Sequence, residues 1–361
     1  MRRDEPGWWY GAAHEERPRL LVHLLSPLAR LYGGIVERRF RRQQPYRSRY
    51  PVICVGNFTA GGTGKTPLSI LIAQLILKRG GTPVFLTRGY GGRERGPVWV
   101  EDGAKAARRF GDEPLLLARI APTLVARDRR MGVRAIEESG RSFTAVIMDD
   151  GLQNPALAKD LTIAVVDGTR GLGNGEVIPA GPLRAPLEFQ LGLVDAIAVR
   201  EPQPARDGNP PDIHALLKRS FPGPVLAMRA VADDDTTWLA GKTVVAFAGI
   251  ANPQRFFTLL EELGAHLAGS IVFPDHHPLT RSEAKRLLSL ARKEGARLVT
   301  TEKDWERLRG DVRLPKALIE LTHPLAIKLE LDERDLGRLM SLIEAATKLV
   351  YPRRSKRPPQ L

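Results

Sequence analysis

The chain changes its hydrophobic rhythm near residue 50. Before that point Leu21, Leu24, Leu25, Leu28, Leu31, Tyr32 and Ile35 recur at helical steps, with Pro27 as an interruption. From Pro51 onward, short apolar runs alternate with amphipathic stretches. Strands are predicted at 51–55, 82–87, 123–126, 144–148, 161–166 and 196–199, with helices at 65–78, 113–120 and 129–139. A second series puts strands near 225–231, 243–248, 269–273 and 297–300, and helices near 253–263, 281–293 and 332–347. Apolar strands separated by helices argue for parallel sheets covered on both faces, an α/β fold.

A stretch rich in Pro, Gly and Asp at 201–223 reads as a linker or long surface connection. It divides the chain into an N-terminal amphipathic segment (1–50), a first α/β domain (51–222), a smaller second one (223–348) and a basic tail (349–361) expected to be disordered.

Charge sharpens the picture of the partners. The 55 Lys+Arg against 41 Asp+Glu give a formal net charge of +14, which attracts nucleic acid, anionic headgroups or phosphorylated substrates without choosing among them. Cys54 is the single cysteine and excludes an internal disulfide and a cysteine-rich metal site. It reads as a small buried hydrophobe, in keeping with a reducing cytoplasm. The opening Met1-Arg2-Arg3-Asp4-Glu5 leads into no apolar run, so no secretory signal is expected. No stretch approaches the roughly 18–20 apolar residues of a membrane span, so no crossing is expected either. Arg17, Arg19, Arg30, Arg38, Arg39, Arg41 and Arg42 surround the leucine stripe, and Trp8, Trp9 and Tyr10 precede it. Such a helix either packs its stripe on the protein's own core or lies in a lipid interface. The arginines and paired tryptophans favour the interface.

The strongest chemical signal is Thr59-Ala60-Gly61-Gly62-Thr63-Gly64-Lys65-Thr66, between a predicted strand and a predicted helix. Small residues let backbone N–H groups point at phosphate oxygens; the lysine reaches the β/γ-phosphates and the threonine hydroxyl serves Mg²⁺. The strict pattern has Gly where this chain has Thr59, and Gly61 and Gly62 supply the flexibility. Asp149 and Asp150 end an apolar strand, where a Mg²⁺-organising carboxylate belongs. Arg88, in Thr87-Arg88-Gly89-Tyr90-Gly91, is a candidate phosphate contact. Asp112 opens a predicted helix and on its own reads as an N-cap. Asp275-His276-His277 is by itself either an Asp-His pair able to activate a hydroxyl, a metal ligand pair or a satisfied turn. Lys303-Asp304 has the wrong order for a guanine-reading motif and argues against a GTPase.

Taken in order, these motifs resemble one family. Pro6–Tyr10, the loop ending Lys65-Thr66-Pro67, Thr87–Gly91 and Gly111-Asp112-Glu113-Pro114 are followed by Asp149-Asp150-Gly151-Leu152-Gln153 and Pro179-Ala180-Gly181-Pro182-Leu183-Arg184. Phe247-Ala248-Gly249-Ile250, Phe273–His277 and Thr301-Glu302-Lys303-Asp304 complete the series. It is similar to the tetraacyldisaccharide 4′-kinases of Gram-negative bacteria. The resemblance implies a P-loop NTPase-type parallel-sheet domain, a second α/β domain closing the cleft, and an N-terminal amphipathic helix. It implies ATP and Mg²⁺ as cofactors and transfer to the 4′-hydroxyl of an acylated glucosamine disaccharide 1-phosphate. The place implied is the cytoplasmic face of the inner membrane, with peripheral attachment to an anionic surface, and neither nucleic acid nor an obligate protein partner. Residue by residue, it implies Thr59 to Thr66 as the nucleotide loop, with Lys65 on the β/γ-phosphates. Thr66, Asp149 and Asp150 hold Mg²⁺, and Asp112 is the general base with His276 and Asp275 beside it. Arg88, Gln153 and Arg184 lie toward the substrate. The chain departs from the family pattern at Asn154, where histidine is frequent, and at Ala251, where glycine is. Two other readings compete: a P-loop switch that hydrolyses nucleotide without an acceptor, and a basic nucleic-acid binder lacking aromatic platforms among its cations.

Overall fold

The computed structural model describes residues 6–10, 16–103, 105–201, 213–233 and 235–348; the basic tail at 349–361 lies outside them. The chain forms two units, each assembled from separated stretches. The first takes residues up to Thr87, Asp128–Arg229 and those from Leu331 on; the second takes Arg88–Arg127 and Ala230–Glu330. The composition of the chain predicts one contiguous boundary near 222. Residues 88–127 instead belong with the second unit, and the helix Glu333–Lys348 belongs with the first. A contiguous boundary follows composition, whereas the units follow which apolar surfaces cover one another.

The first unit is built on a parallel sheet in the order Val225–Ala232, Ala196–Arg200, Leu161–Asp167, Val52–Asn57, Ala145–Asp149, Pro83–Thr87. Val52–Asn57 is buried at all six positions, as its unbroken apolar sequence requires of a strand covered on both faces. The chain crosses over this strand when it passes from Ala145–Asp149 to Leu161–Asp167. In open α/β sheets ligands bind at such a switch point, outside the carboxyl ends of the strands. The stretch expected as a linker contributes a helix, Ile213–Ser220, whose Ile213 and Leu217 are buried in the core with Phe58, Leu183 and Phe221. Two apolar residues at i and i+4 were enough to anchor it despite polar neighbours.

A single helix, Glu16–Arg42, runs through Pro27 without a break. By length and composition its Leu20–Arg42 part is long and apolar enough to cross a membrane, contrary to the sequence expectation. The arginines that interrupt the sequence are concentrated at its end, leaving the earlier turns apolar. Its small residues Ala29 and Gly33 are buried against the unit, and a Cβ on Gly33 would stand 3.1 Å from Pro186. Phe40 meets the Phe189 ring edge-on at 5.3 Å. On the other side Leu20, Leu24, Leu28, Leu31 and Ile35 are exposed, Leu24 at 65% and Leu31 at 63%. Trp9 is buried and donates from Nε1 to Pro179 O at 3.4 Å, so this tryptophan anchors the N-terminus to the unit rather than standing free.

The second unit carries a four-stranded parallel sheet in the order His266–Val272, Thr243–Ala248, Arg297–Thr301, Thr322–Leu325. Phe247 and Leu298 point to one apolar cluster and Ala246 and Val299 to another, the alternation of a strand covered on both sides. Residues 88–127 add the antiparallel pair Val98–Trp99 and Thr123–Val125, and the helices Ala106–Phe110 and Asp112–Ala118 around Phe110, Leu115 and Val125. The helix Asp112–Ala118 packs on Glu302–Arg309.

Candidate active site

In the first unit the nucleotide loop leaves the central strand and enters the helix Lys65–Lys78. Gly61 and Gly64 adopt positive φ of 93° and 96°, which only glycine does without strain. Asn57, the buried last residue of the strand, donates from Nδ2 to Thr59 O at 2.7 Å and to Gly61 O at 3.3 Å. From the other side, Ala60 N donates to Pro182 O (2.8 Å) and Arg184 Nε donates to Thr59 O (3.0 Å). Thr59, at the position where the strict pattern has glycine, is thus paired with the 182–184 segment and buried.

Asp149 and Asp150 end the neighbouring strand, and their environments differ. Asp149 is buried and accepts from Ser69 Oγ at 2.8 Å, while its own carbonyl accepts from buried Arg129 at 3.2 Å. Asp150 turns out of the strand with φ of 53° and lies 3.6 Å from Lys65 Nζ and 2.9 Å from Arg184 Nη1. Burial would raise its carboxyl pKa, but Lys65, Arg184 and Arg129 outweigh burial and hold it at about 2. Gln153 and Arg184, expected toward the substrate, are engaged with the protein itself. Gln153 Nε2 donates to Asn57 O (2.7 Å) and to Gln190 Oε1 (2.8 Å), and its Oε1 accepts from Arg184 at 3.4 Å. Asn154, which replaces the family's frequent histidine, caps its own turn by accepting from Ala156 N at 2.9 Å.

In the second unit Gly111 caps the helix Asp112–Ala118, which frees the Asp112 side chain from the N-cap role suggested by its position. Its carboxylate is 2% exposed, and both oxygens lie 3.0 Å from His276 Nδ1. Arg307 Nε stands 3.2 Å from Oδ2. Burial disfavours the Asp112 anion, yet His276, Arg307 and Lys303 together keep its pKa well below the usual carboxylate range. Burial likewise disfavours the His276 cation. The Asp112 hydrogen bond and the charges of Asp112, Asp275 and Glu113 prevail and raise its pKa. His276 sits in the left-handed region at φ 60°, with Asp275 Oδ2 3.5 Å from its Nε2 and the Tyr90 ring edge-on at 5.2 Å. Burial raises the pKa of Asp275 itself. The Asp-His motif is therefore neither a simple turn nor, among the described residues, part of a cluster able to hold a metal. Arg88 follows the strand Pro83–Thr87 and is exposed.

A family model described as tetraacyldisaccharide-1-P 4′-kinase matches residues 21–344. The chain belongs to this family. It is 46% identical over 318 residues to a tetraacyldisaccharide 4′-kinase of Methylorubrum extorquens, covering 88% of this chain and 93% of that protein. The Nitrobacter winogradskyi tetraacyldisaccharide 4′-kinase is 45% identical over 331 residues, covering 91% and 94%. A crystal structure of LpxK from Aquifex aeolicus in complex with ATP superposes with a TM-score of 0.69 at 25% identity, covering 91% of this chain and 99% of that one.

The residues of this tetraacyldisaccharide 4′-kinase family member suit ATP and Mg²⁺. Thr63 Oγ1 is buried with no hydrogen-bond partner among the described residues, as expected of a donor reserved for phosphate. Thr66, Asp149 and Asp150 offer hard oxygens, and a magnesium ion held by one or two carboxylates and substrate phosphates needs no larger protein cage. Ser69, Arg129, Gln190 and Arg307 belong to no motif that the sequence suggested. Ser69 was within reach, since it lies four residues after Lys65 and so on the same helix face. The others depend on contacts across 20 to 132 residues or more of chain that no local spacing announces.

Proposed function

We propose that this chain transfers the γ-phosphoryl group of ATP to the 4′-hydroxyl of tetraacyldisaccharide 1-phosphate. The Asp112–His276 pair is the observation that favours a kinase over a nucleotide-hydrolysing switch, because a buried carboxylate backed by histidine is equipment for an acceptor hydroxyl. Thr59 to Thr66 cradle the phosphates and Lys65 neutralises charge on the β/γ oxygens. Thr66, Asp149 and Asp150 would hold Mg²⁺, which when bound neutralises charge between the β- and γ-phosphates. Asp112 takes the proton of the 4′-hydroxyl as its oxygen bonds to phosphorus and the β–γ bridging O–P bond breaks, releasing ADP. His276 holds Asp112 in place, with Asp275 beside its Nε2. Arg88 is the exposed cation for a phosphate of the acceptor, while Arg184 and Gln153 keep the nucleotide loop and Asp150 in register.

The same proposal puts the enzyme on the cytoplasmic face of the inner membrane as a peripheral protein. The exposed stripe Leu20–Ile35 offers apolar surface to lipid, and the net charge of +14 favours an anionic leaflet. Transfer of label from γ-labelled ATP to tetraacyldisaccharide 1-phosphate in detergent micelles tests the activity. Labelled lipid that requires Mg²⁺ and disappears in Lys65→Ala and Asp112→Ala is the expected result. ATP hydrolysis with no labelled lipid would overturn the assignment in favour of the switch.

A further inference from the structure

Arg307 belongs to no motif that the sequence suggested, yet it touches every segment that carries the Asp112–His276 pair. Its Nε lies 3.2 Å from Asp112 Oδ2 in an ion pair that lacks hydrogen-bond alignment, and its Nη2 donates to Gly249 O at 2.9 Å. Its Nη1 donates to His277 O at 3.4 Å and pairs with Asp304 Oδ1 at 3.0 Å. Asp304 is itself fixed, accepting from Gly249 N at 3.1 and 3.0 Å and from Thr301 Oγ1 at 2.6 Å. The carbonyl of Gly249 also accepts from the His276 backbone N–H at 3.1 Å, so the Arg307 guanidinium and the His276 main chain share one backbone anchor.

This arrangement solves a problem that burial creates. His276 Nδ1 is equidistant from both Asp112 oxygens and by itself leaves the carboxylate free to swing about its Cβ–Cγ bond. At 2% exposure little solvent is at hand to steady it. A planar guanidinium braced by three other groups supplies the missing constraint, which a flexible ammonium would supply less well. Lys303 is not placed to do this. It is paired with Glu113 at 2.5 Å and acts on Asp112 only through its charge.

We propose that Arg307 is a positioning residue: aimed by Asp304, it fixes the plane of the Asp112 carboxylate so that the carboxylate stays on His276 while meeting the acceptor hydroxyl. The inference rests on the reading of Asp112 as the base. The charged and titratable groups around His276 are Asp112, Asp275, Glu113, Lys303 and Arg307, with Tyr90 against its ring.

The test uses the full chain with Arg307→Gln, Arg307→Lys, Asp304→Asn and Asp112→Asn, assayed for lipid phosphorylation alongside thermal unfolding. Histidine-selective NMR, with His276→Gln for assignment, follows the His276 titration. Misplacement of a reacting group by an ångström costs on the order of 100-fold. Arg307→Gln should accordingly lower kcat by about 10- to 100-fold while leaving KM for ATP within about threefold. Arg307→Lys should recover part of that loss, and Asp304→Asn should show a smaller loss of the same kind. The sign of the His276 shift separates the roles. Deleting a nearby cation by electrostatics alone would raise the His276 pKa, whereas a loosened Asp112 lets it fall toward its ordinary value. A fall is expected. A rise or no change in a folded Arg307→Gln enzyme overturns the positioning role, as does wild-type kcat. Wild-type kcat in Asp112→Asn would overturn the base and this inference together; loss there, with Arg307→Gln unimpaired, would overturn this inference alone.

Discussion

Asn57 ties down Thr59: its side-chain amide donates to the Thr59 carbonyl at 2.7 Å from a position with no solvent exposure. The last residue of the central strand thereby sets the path of the loop that follows it. Replacing it by alanine leaves buried carbonyls short of a donor, a cost of about 1–3 kcal/mol. Asn57→Ala should lower the unfolding temperature and weaken ATP binding by about tenfold, read by calorimetry and nucleotide titration. Unchanged ATP affinity in a destabilised protein would mean that the tie serves the fold alone.

Ser69 holds Asp149 by a 2.8 Å hydrogen bond within the buried floor of the proposed metal site. Without the hydroxyl, Asp149 keeps its charge but loses its aim, so Ser69→Ala should raise the Mg²⁺ concentration for half-maximal rate. Its effect on stability should be about 1 kcal/mol. A Mg²⁺ dependence identical to that of wild type would remove Ser69 from the site.

The Asp112–His276 pair makes stability depend on pH with a definite sign. The His276 pKa is raised in the folded state, so protonated His276 stabilises the fold fully below its unfolded pKa of about 6.5. That contribution is lost as pH rises through the raised folded value. The Asp112 pKa is lowered, and its contribution persists throughout neutral pH. The melting temperature of wild type should therefore exceed that of His276→Gln by more at pH 6 than at pH 9. An equal gap at both pH values would show that the ion pair adds nothing.

The exposed leucines of the N-terminal helix can be changed without touching the core. Leu24→Glu or Leu28→Glu should leave thermal unfolding nearly unchanged and lower binding to anionic vesicles by on the order of tenfold each, since burying a leucine in lipid is worth about 1.5–3 kcal/mol. Vesicle binding that survives both substitutions would remove the stripe from the membrane contact.

Much of this is legible in the sequence. The loop at 59–66 announced itself through glycine spacing and its strand-to-helix context, and Val52–Asn57 through its unbroken apolar run. The helix Ile213–Ser220 was not legible, because its two buried residues lie beside a Pro-rich stretch that dominates the local composition. For Gln153 the resemblance implies a place toward the substrate; that Asn57 and Gln190 engage its amide is visible only in the fold. Arg307 was invisible for a related reason, since an arginine on an amphipathic helix ordinarily faces water.

The second unit is interrupted in sequence by Asp128–Arg229 of the first, and this has a consequence in time. Asp112 leaves the ribosome 164 residues before His276. At 5–20 residues per second that is roughly 10–30 s during which Asp112 has no His276 to pair with, and Glu302–Arg309, which covers the helix Asp112–Ala118, follows later still. The nucleotide loop and its supporting strands are already synthesised by then, so the nascent chain holds its phosphate-binding elements well before its proposed base has a histidine to lean on. A ribosome stalled near residue 230 would carry a chain with the parts to hold ATP and none of the partners that make Asp112 useful.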